Sequence, residues 1–227
     1  MSEQTTVHLL RHGEVHNPDG ILYGRLPGYH LSELGLQMAR RVADTVADRD
    51  ITHVVASPLE RAQETARPIA GARGVEVVTD ARVIESTNIF EGRRFTVGEG
   101  IVKRPKSWRH LWNPFKPSWG EPYKAVVARM MAAVYDARDA ARGHEAVIVS
   151  HQLPIWTTRL HVEHRMFLHN PRNRQCTLCS LTSLVFDGDE IASLRYSEPA
   201  ADLIPVRDRR QSFSTGTGPA AQEAPPS

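Results

Sequence analysis

Apolar residues recur along the chain at two alternating spacings. Short apolar runs between turn-forming residues predict six β-strands, at about 6–10, 52–56, 75–78, 146–150, 180–186 and 190–195. Apolar positions three and four residues apart predict four helices: one capped by Ser32, one from Pro58 to about Ala70, one from about Pro122 to Arg142, and one with Pro154 in its first turn. This alternation predicts an α/β fold, a three-layer α/β/α sandwich with a mainly parallel central sheet.

Three short motifs directly follow predicted strands, at Arg11-His12, Ser57-Pro58 and Ser150-His151. Ligands of such sheets bind beyond the carboxyl ends of the strands. We therefore expect these motifs to meet at one edge of the sheet and to form the binding site.

The segment 86–121 has no clear hydrophobic period and is rich in tryptophan and basic residues. Irregular segments of this length are commonly functional lids, and this one would offer the substrate Arg93, Arg94, Trp108 and Trp112. The alternative is a small hydrophobic cluster beneath a long loop. We assign residues 1–205 to one domain that includes this segment. Residues 206–227, rich in Ser, Thr, Gly, Pro and Ala, are expected to be disordered.

The composition is that of a globular protein, with 41% hydrophobic and 24% charged residues and a formal net charge of +2. A charge this small, without a basic run, does not indicate nucleic-acid binding. No stretch has membrane-spanning length, and the polar first residues do not resemble a secretory signal. We expect a cytoplasmic protein that binds neither nucleic acid nor membrane.

Two local motifs resemble metal or redox sites only superficially. Cys176 and Cys179 lack a second ligand pair and run into a predicted strand, so we expect two reduced cysteines there. His161 and His164 lack the HExxH spacing of a zinc site. The sequence therefore predicts no metal and no cofactor.

The side chains expected at the sheet edge suit transfer of a phosphoryl group to a histidine. Arg11 and Arg61 are candidate ligands of a phosphate dianion, whose geometry the arginine fork matches. Asn17, five residues after His12, is a further donor. A neutral His12 is a competent nucleophile when a carbonyl holds its other ring nitrogen. His151 would donate to the transferred group, as imidazolium or as neutral imidazole.

Hydrolysis of a phosphate ester also needs a carboxylic acid. It protonates the leaving alkoxide and later takes a proton from the attacking water. Glu85 is our candidate for this role, and Glu14 and Glu91 are the alternatives.

These motifs together resemble the histidine phosphatase superfamily, in its phosphatase branch, which has the phosphoglycerate-mutase-like fold. The resemblance covers about residues 6–196 and includes 10–14, Asn17, Gly24-Arg25, 31–35, 57–66, Glu85, Gly92, Gly120-Glu121 and 149–151. It implies that His12 is the phosphorylated nucleophile and Glu85 the proton donor. It also implies a phosphate pocket of Arg11, Arg61 and His151, assisted by Asn17 and the backbone near Gly24.

The chain departs from the family pattern at three places. Gln152 stands where the family's Ser-His-Gly has glycine, and His30 replaces an aspartate that commonly precedes the Leu-Ser/Thr-Glu segment. The segment from Glu85 to Gly92 lacks the family's usual acidic and tryptophan residues. None of these changes removes a group that the chemistry requires.

We therefore predict a metal-independent phosphomonoesterase for a small phosphorylated metabolite. A phosphomutase of the phosphoglycerate mutase type is the first alternative, and it would need a site that retains a bisphosphate and excludes water. A non-catalytic module that binds phosphorylated ligands is the second. The presence of His12, Arg61, His151 and a candidate acid argues against this last class.

Overall fold

A computed structural model of the chain describes residues 4–93, 120–167 and 174–204. Its strands are β1 (Gln4–Arg11), β2 (Ile51–Ala56), β3 (Val77–Thr79), β4 (Glu145–Ser150), β5 (Leu181–Asp187) and β6 (Glu190–Ser197). Its α-helices are α1 (Glu33–Thr45), α2 (Glu60–Arg73), α3 (Tyr123–Ala140) and α4 (Gln152–Val162). Short 3₁₀ turns occupy Ala81–Val83 and Ala201–Leu203. Every predicted strand and helix is therefore present in the described part of the chain.

The six strands form one sheet in the order β3-β2-β4-β1-β5-β6. The first four in this order pair in parallel, while β5 runs antiparallel to β1 and β6 antiparallel to β5. The predicted α/β fold with a mainly parallel sheet is confirmed. β3 is shorter than predicted, because Gly74 ends α2 with a left-handed φ of 65° and Val75 packs into the core instead of pairing.

Helices cover both faces of the sheet, and each face has its own core. On one face α1 and α2 pack through residues such as Met38, Val42 and Ile69. On the other face α3 and α4 pack through residues such as Met130 and Ile155. Successive residues of β4 alternate between the two cores, as the two-residue period of a strand requires: Val147 and Val149 face α1 and α2, whereas Ala146 and Ile148 face α3 and α4. The molecule is thus the predicted three-layer sandwich.

The start of α1 is fixed by Ser32, as its sequence context predicted. The Ser32 hydroxyl accepts a hydrogen bond from the Gly35 backbone N–H at 3.0 Å and donates one to the Glu14 carboxylate at 2.5 Å. This helix start is therefore tied to the loop that follows β1.

Part of the predicted lid lies outside the described residues, namely 94–119 with Arg94, Trp108 and Trp112, as does the predicted disordered tail from residue 206 onward. Within the described residues, none of the helices has the length and apolar character needed to cross a membrane.

Candidate active site

The carboxyl ends of β1, β2 and β4 meet at one edge of the sheet. The backbone N–H of His12 donates to the carbonyl of Ser150 at 3.1 Å, and that of Ser57 donates to the carbonyl of Val149 at 3.0 Å. The rings of His12 and His151 consequently lie 5.1 Å apart, measured between their centroids. The three motifs therefore meet at one edge of the sheet, as their positions directly after predicted strands indicated.

His12 has a fixed tautomer. Its Nδ1–H donates to the Gly13 carbonyl at 2.8 Å, so the lone pair of the neutral ring is on Nε2. Burial lowers the pKa of His12 well below its usual value, and the nearby charges of Arg61 and Arg11 lower it further. The ring is therefore held as a neutral nucleophile.

Gly13 is required where β1 meets α1. A side chain here would collide with the backbone of Gly35, and the Gly13 N–H donates to the Thr65 hydroxyl at 3.1 Å. The glycine thus allows α1 to approach closely, and Thr65 holds the backbone N–H of Gly13, the residue whose carbonyl orients His12.

His151 is fully buried, and both of its ring nitrogens have partners. Its Nδ1 accepts from Nη2 of Arg61 at 3.4 Å, so Nε2 carries the proton and donates to the Ser57 hydroxyl at 2.8 Å. Burial and the charge of Arg61 lower the pKa of His151 well below its usual value. This favours the neutral imidazole over the imidazolium. To donate to a phosphoryl oxygen, the ring must exchange Ser57 for it. The Ser57-Pro58 motif was expected at this edge of the sheet, but the contact of the Ser57 hydroxyl with His151 was not predicted.

Arg61 and Arg11 bring positive charge to the two imidazoles. Arg61 donates to the Gly24 carbonyl at 2.6 Å and lies over the ring of Tyr23, with 4.7 Å from its guanidinium carbon to the ring centroid. Arg11 donates to the Cys176 carbonyl at 2.8 Å. Nε of Arg11 and both Nε and Nη1 of Arg61 are buried without a hydrogen-bond partner among the described residues. Such donors cost about 1–3 kcal/mol each when unpaired, and the oxygens of a phosphate would accept from them.

Glu85 follows the 3₁₀ turn at Ala81–Val83, and its backbone carbonyl accepts from Nε of Arg25 at 2.6 Å. Burial raises the pKa of the Glu85 carboxyl, whereas the Ser86 N–H and the charges of Arg61, Arg174 and Arg11 oppose the rise. A neutral carboxylic acid near the arginines is the form that can protonate a leaving group.

The two alternative acids have structural partners in this region. The Glu14 carboxylate accepts from Ser32 at the start of α1, and that of Glu91 accepts from the Asn88 N–H at 3.1 Å. Glu85 stays our candidate acid, because burial raises the pKa of its carboxyl and the charges of Arg61 and Arg11 act on it.

An ion-pair network that the sequence analysis missed holds the segment that carries Glu85. The Glu121 carboxylate accepts two hydrogen bonds from Arg129, both at 2.9 Å, and a third from Arg25 at 3.0 Å. Arg129 also donates to the carbonyls of Arg82 and Ile84, at 2.6 and 2.7 Å. Glu121 thus connects two arginines that together donate hydrogen bonds to backbone carbonyls between residues 82 and 85.

Gly120 allows Glu121 to occupy this position. The backbone of Gly120 bridges to Asn88 and lies so close to the Thr87 carbonyl that any side chain would collide with it. The close approach to Thr87 therefore requires glycine at position 120. The arginines that Glu121 joins can be identified only from the structure.

Asn17 and Gly24 lie between β1 and α1 and organise the backbone there. Asn17 is buried, and its amide both donates to and accepts from the backbone of Ile21, at 2.8 and 3.0 Å. Gly24 has a left-handed φ of 41°, and the Glu91 side chain occupies the space that a Cβ would need. Through its carbonyl Gly24 positions Arg61.

Of the predicted lid side chains, Arg93 is described. Its guanidinium carbon lies 5.6 Å from the centroid of the Phe90 ring.

Gln152 and Arg174 lie together next to His151. Gln152 accepts from Nη1 of Arg174 at 3.3 Å and donates to the Cys176 carbonyl at 3.4 Å, the same carbonyl that Arg11 contacts. Cys176 and Cys179 are buried free thiols. The glutamine at this family position therefore orients an arginine that the sequence analysis did not identify.

The remaining departure, His30, lies outside the pocket. Its ring contacts the Glu64 carboxylate at 2.5 Å, and the other oxygen of that carboxylate accepts from the Leu31 N–H at 2.7 Å. Across the three described stretches, the His, Cys, Asp and Glu side chains form no group of three or more suited to a metal ion.

Comparison with known proteins gives consistent results. The family model of the histidine phosphatase superfamily, branch 1, matches residues 7–199. The chain is 57% identical over 201 residues to the Mycobacterium tuberculosis protein Rv0525, covering 88% of this chain and 100% of that protein. It is 31% identical over 223 residues to a "Probable phosphoglycerate mutase GpmB" of Yersinia pestis, covering 90% and 98% of the two chains.

A solved structure with a similar fold is that of the mycobacterial glucosyl-3-phosphoglycerate phosphatase Rv2419c. It superposes with a TM-score of 0.66 at 25% identity and covers 86% of this chain and 96% of the other.

Proposed function

The chain belongs to the histidine phosphatase superfamily, and on this premise we propose that it hydrolyses a small phosphate monoester through a phosphohistidine intermediate. The contact that carries the proposal is the hydrogen bond from His12 Nδ1 to the Gly13 carbonyl. It leaves the Nε2 lone pair of a buried, neutral imidazole as the nucleophile, beside two arginines and a second imidazole.

In the first step His12 Nε2 attacks phosphorus, and the bond from phosphorus to the ester oxygen breaks. Arg11 and Arg61 bind the non-bridging oxygens and, with His151, stabilise the charge that spreads over them in the transition state. Glu85 gives its proton to the departing alkoxide, which leaves as the alcohol. Glu85 is then a carboxylate, and its charge is balanced by the arginines around it.

In the second step water attacks the phosphorus of phosphohistidine. Glu85 takes a proton from that water, the bond from phosphorus to Nε2 breaks, and inorganic phosphate leaves. His12 returns to the neutral tautomer that the Gly13 carbonyl fixes. The proton that Glu85 gives to the alcohol is replaced by the one it takes from water, so the proposed cycle needs no cofactor or metal.

A phosphomutase is the second candidate, because several relatives that match the chain carry a mutase name. A mutase would return the phosphoryl group from His12 to a bound hydroxyl, so the two candidates differ only in the acceptor. The non-catalytic module would have neither activity.

One screen separates these functions. Phosphate release is measured from 4-nitrophenyl phosphate in EDTA and from a panel of phosphorylated metabolites. The panel includes 3-phosphoglycerate with and without 2,3-bisphosphoglycerate. We expect phosphate release in EDTA. Formation of 2-phosphoglycerate without net phosphate release would identify a mutase, activity only with added metal would contradict the proposed chemistry, and a lack of all turnover would favour the binding module.

A further inference from the structure

Arg61 has few hydrogen bonds for a fully buried cation. Its Nη2 donates to the Gly24 carbonyl at 2.6 Å and to Nδ1 of His151 at 3.4 Å. Within the part of the chain that the structure describes, Nε and Nη1 have no partner. Removing a guanidinium from water has a free-energy cost unless other groups stabilise its charge. The orientation of Arg61 therefore depends on a contact besides these hydrogen bonds.

The ring of Tyr23 provides that contact. The guanidinium carbon of Arg61 lies over the ring, 4.7 Å from its centroid, and the face of an aromatic ring attracts a cation most strongly where water is excluded. The same ring meets the imidazole of His12 edge to face, with 6.5 Å between the centroids and 62° between the planes. One side chain therefore contacts both the nucleophile and a phosphate-binding arginine.

The loop that carries Tyr23 is bound to the helix that carries Arg61. The backbone N–H of Gly28 donates to the Glu60 carboxylate at 3.0 Å, and Glu60 directly precedes Arg61 in α2. The ring of Tyr29 lies 5.1 Å from that of Tyr23, with 31° between their planes. The position of the Tyr23 ring relative to Arg61 is thus held by the backbone of the loop and by a second aromatic ring.

We propose that Tyr23, supported by Tyr29, is a positioning residue whose ring holds Arg61 in the orientation that binds the phosphoryl group beside His12. The inference rests on the proposed phosphatase function and assigns the role to the ring rather than to the phenol hydroxyl. Without the ring, Arg61 would have to be ordered when phosphate binds, and that ordering lowers affinity. The effect of removing the ring should therefore appear in the binding of phosphate itself.

The test compares two replacements of Tyr23 in the full chain. Calorimetry measures the Kd of inorganic phosphate, and steady-state kinetics measure kcat/KM for 4-nitrophenyl phosphate. Tyr23→Leu should raise this Kd and lower kcat/KM by about 10- to 30-fold, the size expected for a cation–π contact shielded from water. Tyr23→Phe presents the same ring face, so it should restore most of the affinity that Tyr23→Leu loses.

A double-variant cycle separates positioning of Arg61 from a purely structural role. In an Arg61→Lys background no guanidinium lies over the ring, so Tyr23→Leu should change phosphate affinity by less than about threefold. Tyr135→Leu is the control, because the Tyr135 ring also contacts an arginine, with 5.2 Å from its centroid to the guanidinium carbon of Arg138. Both residues lie in the C-terminal half of α3, so this control should leave phosphate affinity unchanged.

Three results would overturn the inference. Unchanged phosphate affinity in Tyr23→Leu, or a wild type that binds no phosphate, would show that the ring positions nothing. A loss in Tyr23→Phe equal to that in Tyr23→Leu would mean that the hydroxyl binds the substrate. A full loss from Tyr23→Leu in the Arg61→Lys background would mean that Tyr23 acts independently of Arg61.

Two further measurements keep the outcome clear. Tyr29→Leu removes only the support of the Tyr23 ring, so it should give a smaller loss of the same kind, and it replaces Tyr23→Leu if unfolding temperatures show that the latter does not fold. Phosphate binding is measured without turnover. A wild type that binds phosphate but hydrolyses no ester would therefore contradict the phosphatase proposal alone.

Discussion

Burial has opposite effects on the pKa values of His12 and Glu85, and both effects serve the same reaction. It lowers the pKa of the imidazole and raises that of the carboxyl, because a low-dielectric environment disfavours the charged form of each. Each shift favours the neutral form, which is the form that the nucleophile and the acid need before the reaction. Arg61 and Arg11 reinforce the first shift and oppose the second, so their charges stabilise the carboxylate that forms when Glu85 gives up its proton.

The role of Glu85 predicts that the effect of its replacement depends on the leaving group. Glu85→Gln should slow the first step about 10²- to 10⁴-fold for an alkyl phosphate, whose alkoxide must be protonated. For 2,4-dinitrophenyl phosphate, whose leaving group departs without a proton, the first step should be almost unchanged. Single-turnover kinetics with both substrates measure this difference.

Glu14→Gln and Glu91→Gln are the matched comparisons, because each removes a carboxylate that competes for the same role. If either of them shows the leaving-group dependence and Glu85→Gln does not, the acid has been assigned to the wrong residue.

The sequence supplied the reacting groups but not their supports. His12, Arg11, Arg61, His151 and Glu85 were predicted because each has a chemical role or a motif that follows a strand. The hydrogen bond from His151 to Ser57 and the one from Arg174 to Gln152 join residues that are distant in the sequence, so these contacts could not be predicted. Arg174 belongs to none of the motifs that follow a predicted strand, so nothing in its local sequence distinguishes it from a surface arginine.

At the scale of helices and strands, the site depends on how the segment from residue 82 to residue 85 is held. Ser150, at the end of β4, donates from its hydroxyl to the Val83 carbonyl at 2.7 Å. Arg129, on α3, contacts two further carbonyls of this segment. Glu121 fixes Arg129 and Arg25, and through them it connects α3 to the loop that carries Glu85.

Replacing Glu121 should therefore displace the acid. We expect Glu121→Gln to lower kcat for an alkyl phosphate about 10- to 100-fold, because small displacements of a catalytic group have effects of this size. It should also reduce the free energy of unfolding by about 1–3 kcal/mol. Steady-state kinetics and denaturant unfolding of the variant give both values.

Asp139 near the C-terminal end of α3 offers a matched control. Its carboxylate also joins two arginines, Arg138 and Arg142, but at the opposite end of the helix from Glu121. Asp139→Asn should leave kcat unchanged. Equal kcat in wild type and Glu121→Gln would show that the network does not position Glu85.

The helices and strands were predictable because burial imposes a period on the sequence. The stripe of Met130 and Val134 on α3, or the alternation along β4, is a direct consequence of packing on a two-sided sheet. The network around Glu121 was not predictable, because it joins residues 25, 121 and 129 through ion pairs that leave no periodic pattern.

For the whole molecule, the buried imidazoles make stability depend on pH. The pKa values of His12 and His151 are lower in the folded state than the usual 6.5 that they regain on unfolding. Below pH 6.5 the unfolded chain therefore takes up protons before the folded chain does, so stability falls as the pH falls towards the folded pKa values. The slope is at most about 1.4 kcal/mol per pH unit for each histidine.

We predict that His12→Gln loses less of its free energy of unfolding between pH 7 and pH 5 than the wild type does. Glu85 acts in the opposite direction, because its folded pKa is raised and the stability it contributes is lost as the pH increases through that value. Denaturant unfolding at several pH values measures the slopes. A slope in His12→Gln as steep as that of the wild type would contradict the buried, neutral assignment of His12.

The central claim is that His12 carries the phosphoryl group between two chemical steps. The most direct test uses Glu85→Gln with a labelled 2,4-dinitrophenyl phosphate in EDTA, quenched rapidly. The first step is then fast, while the second lacks its base, so the intermediate should accumulate. We predict about one acid-labile, base-stable phosphoryl group per chain, located on His12 by peptide mapping and absent from the Glu85→Gln/His12→Asn double variant. Phosphate release without label on His12, or label on another residue, would contradict the account.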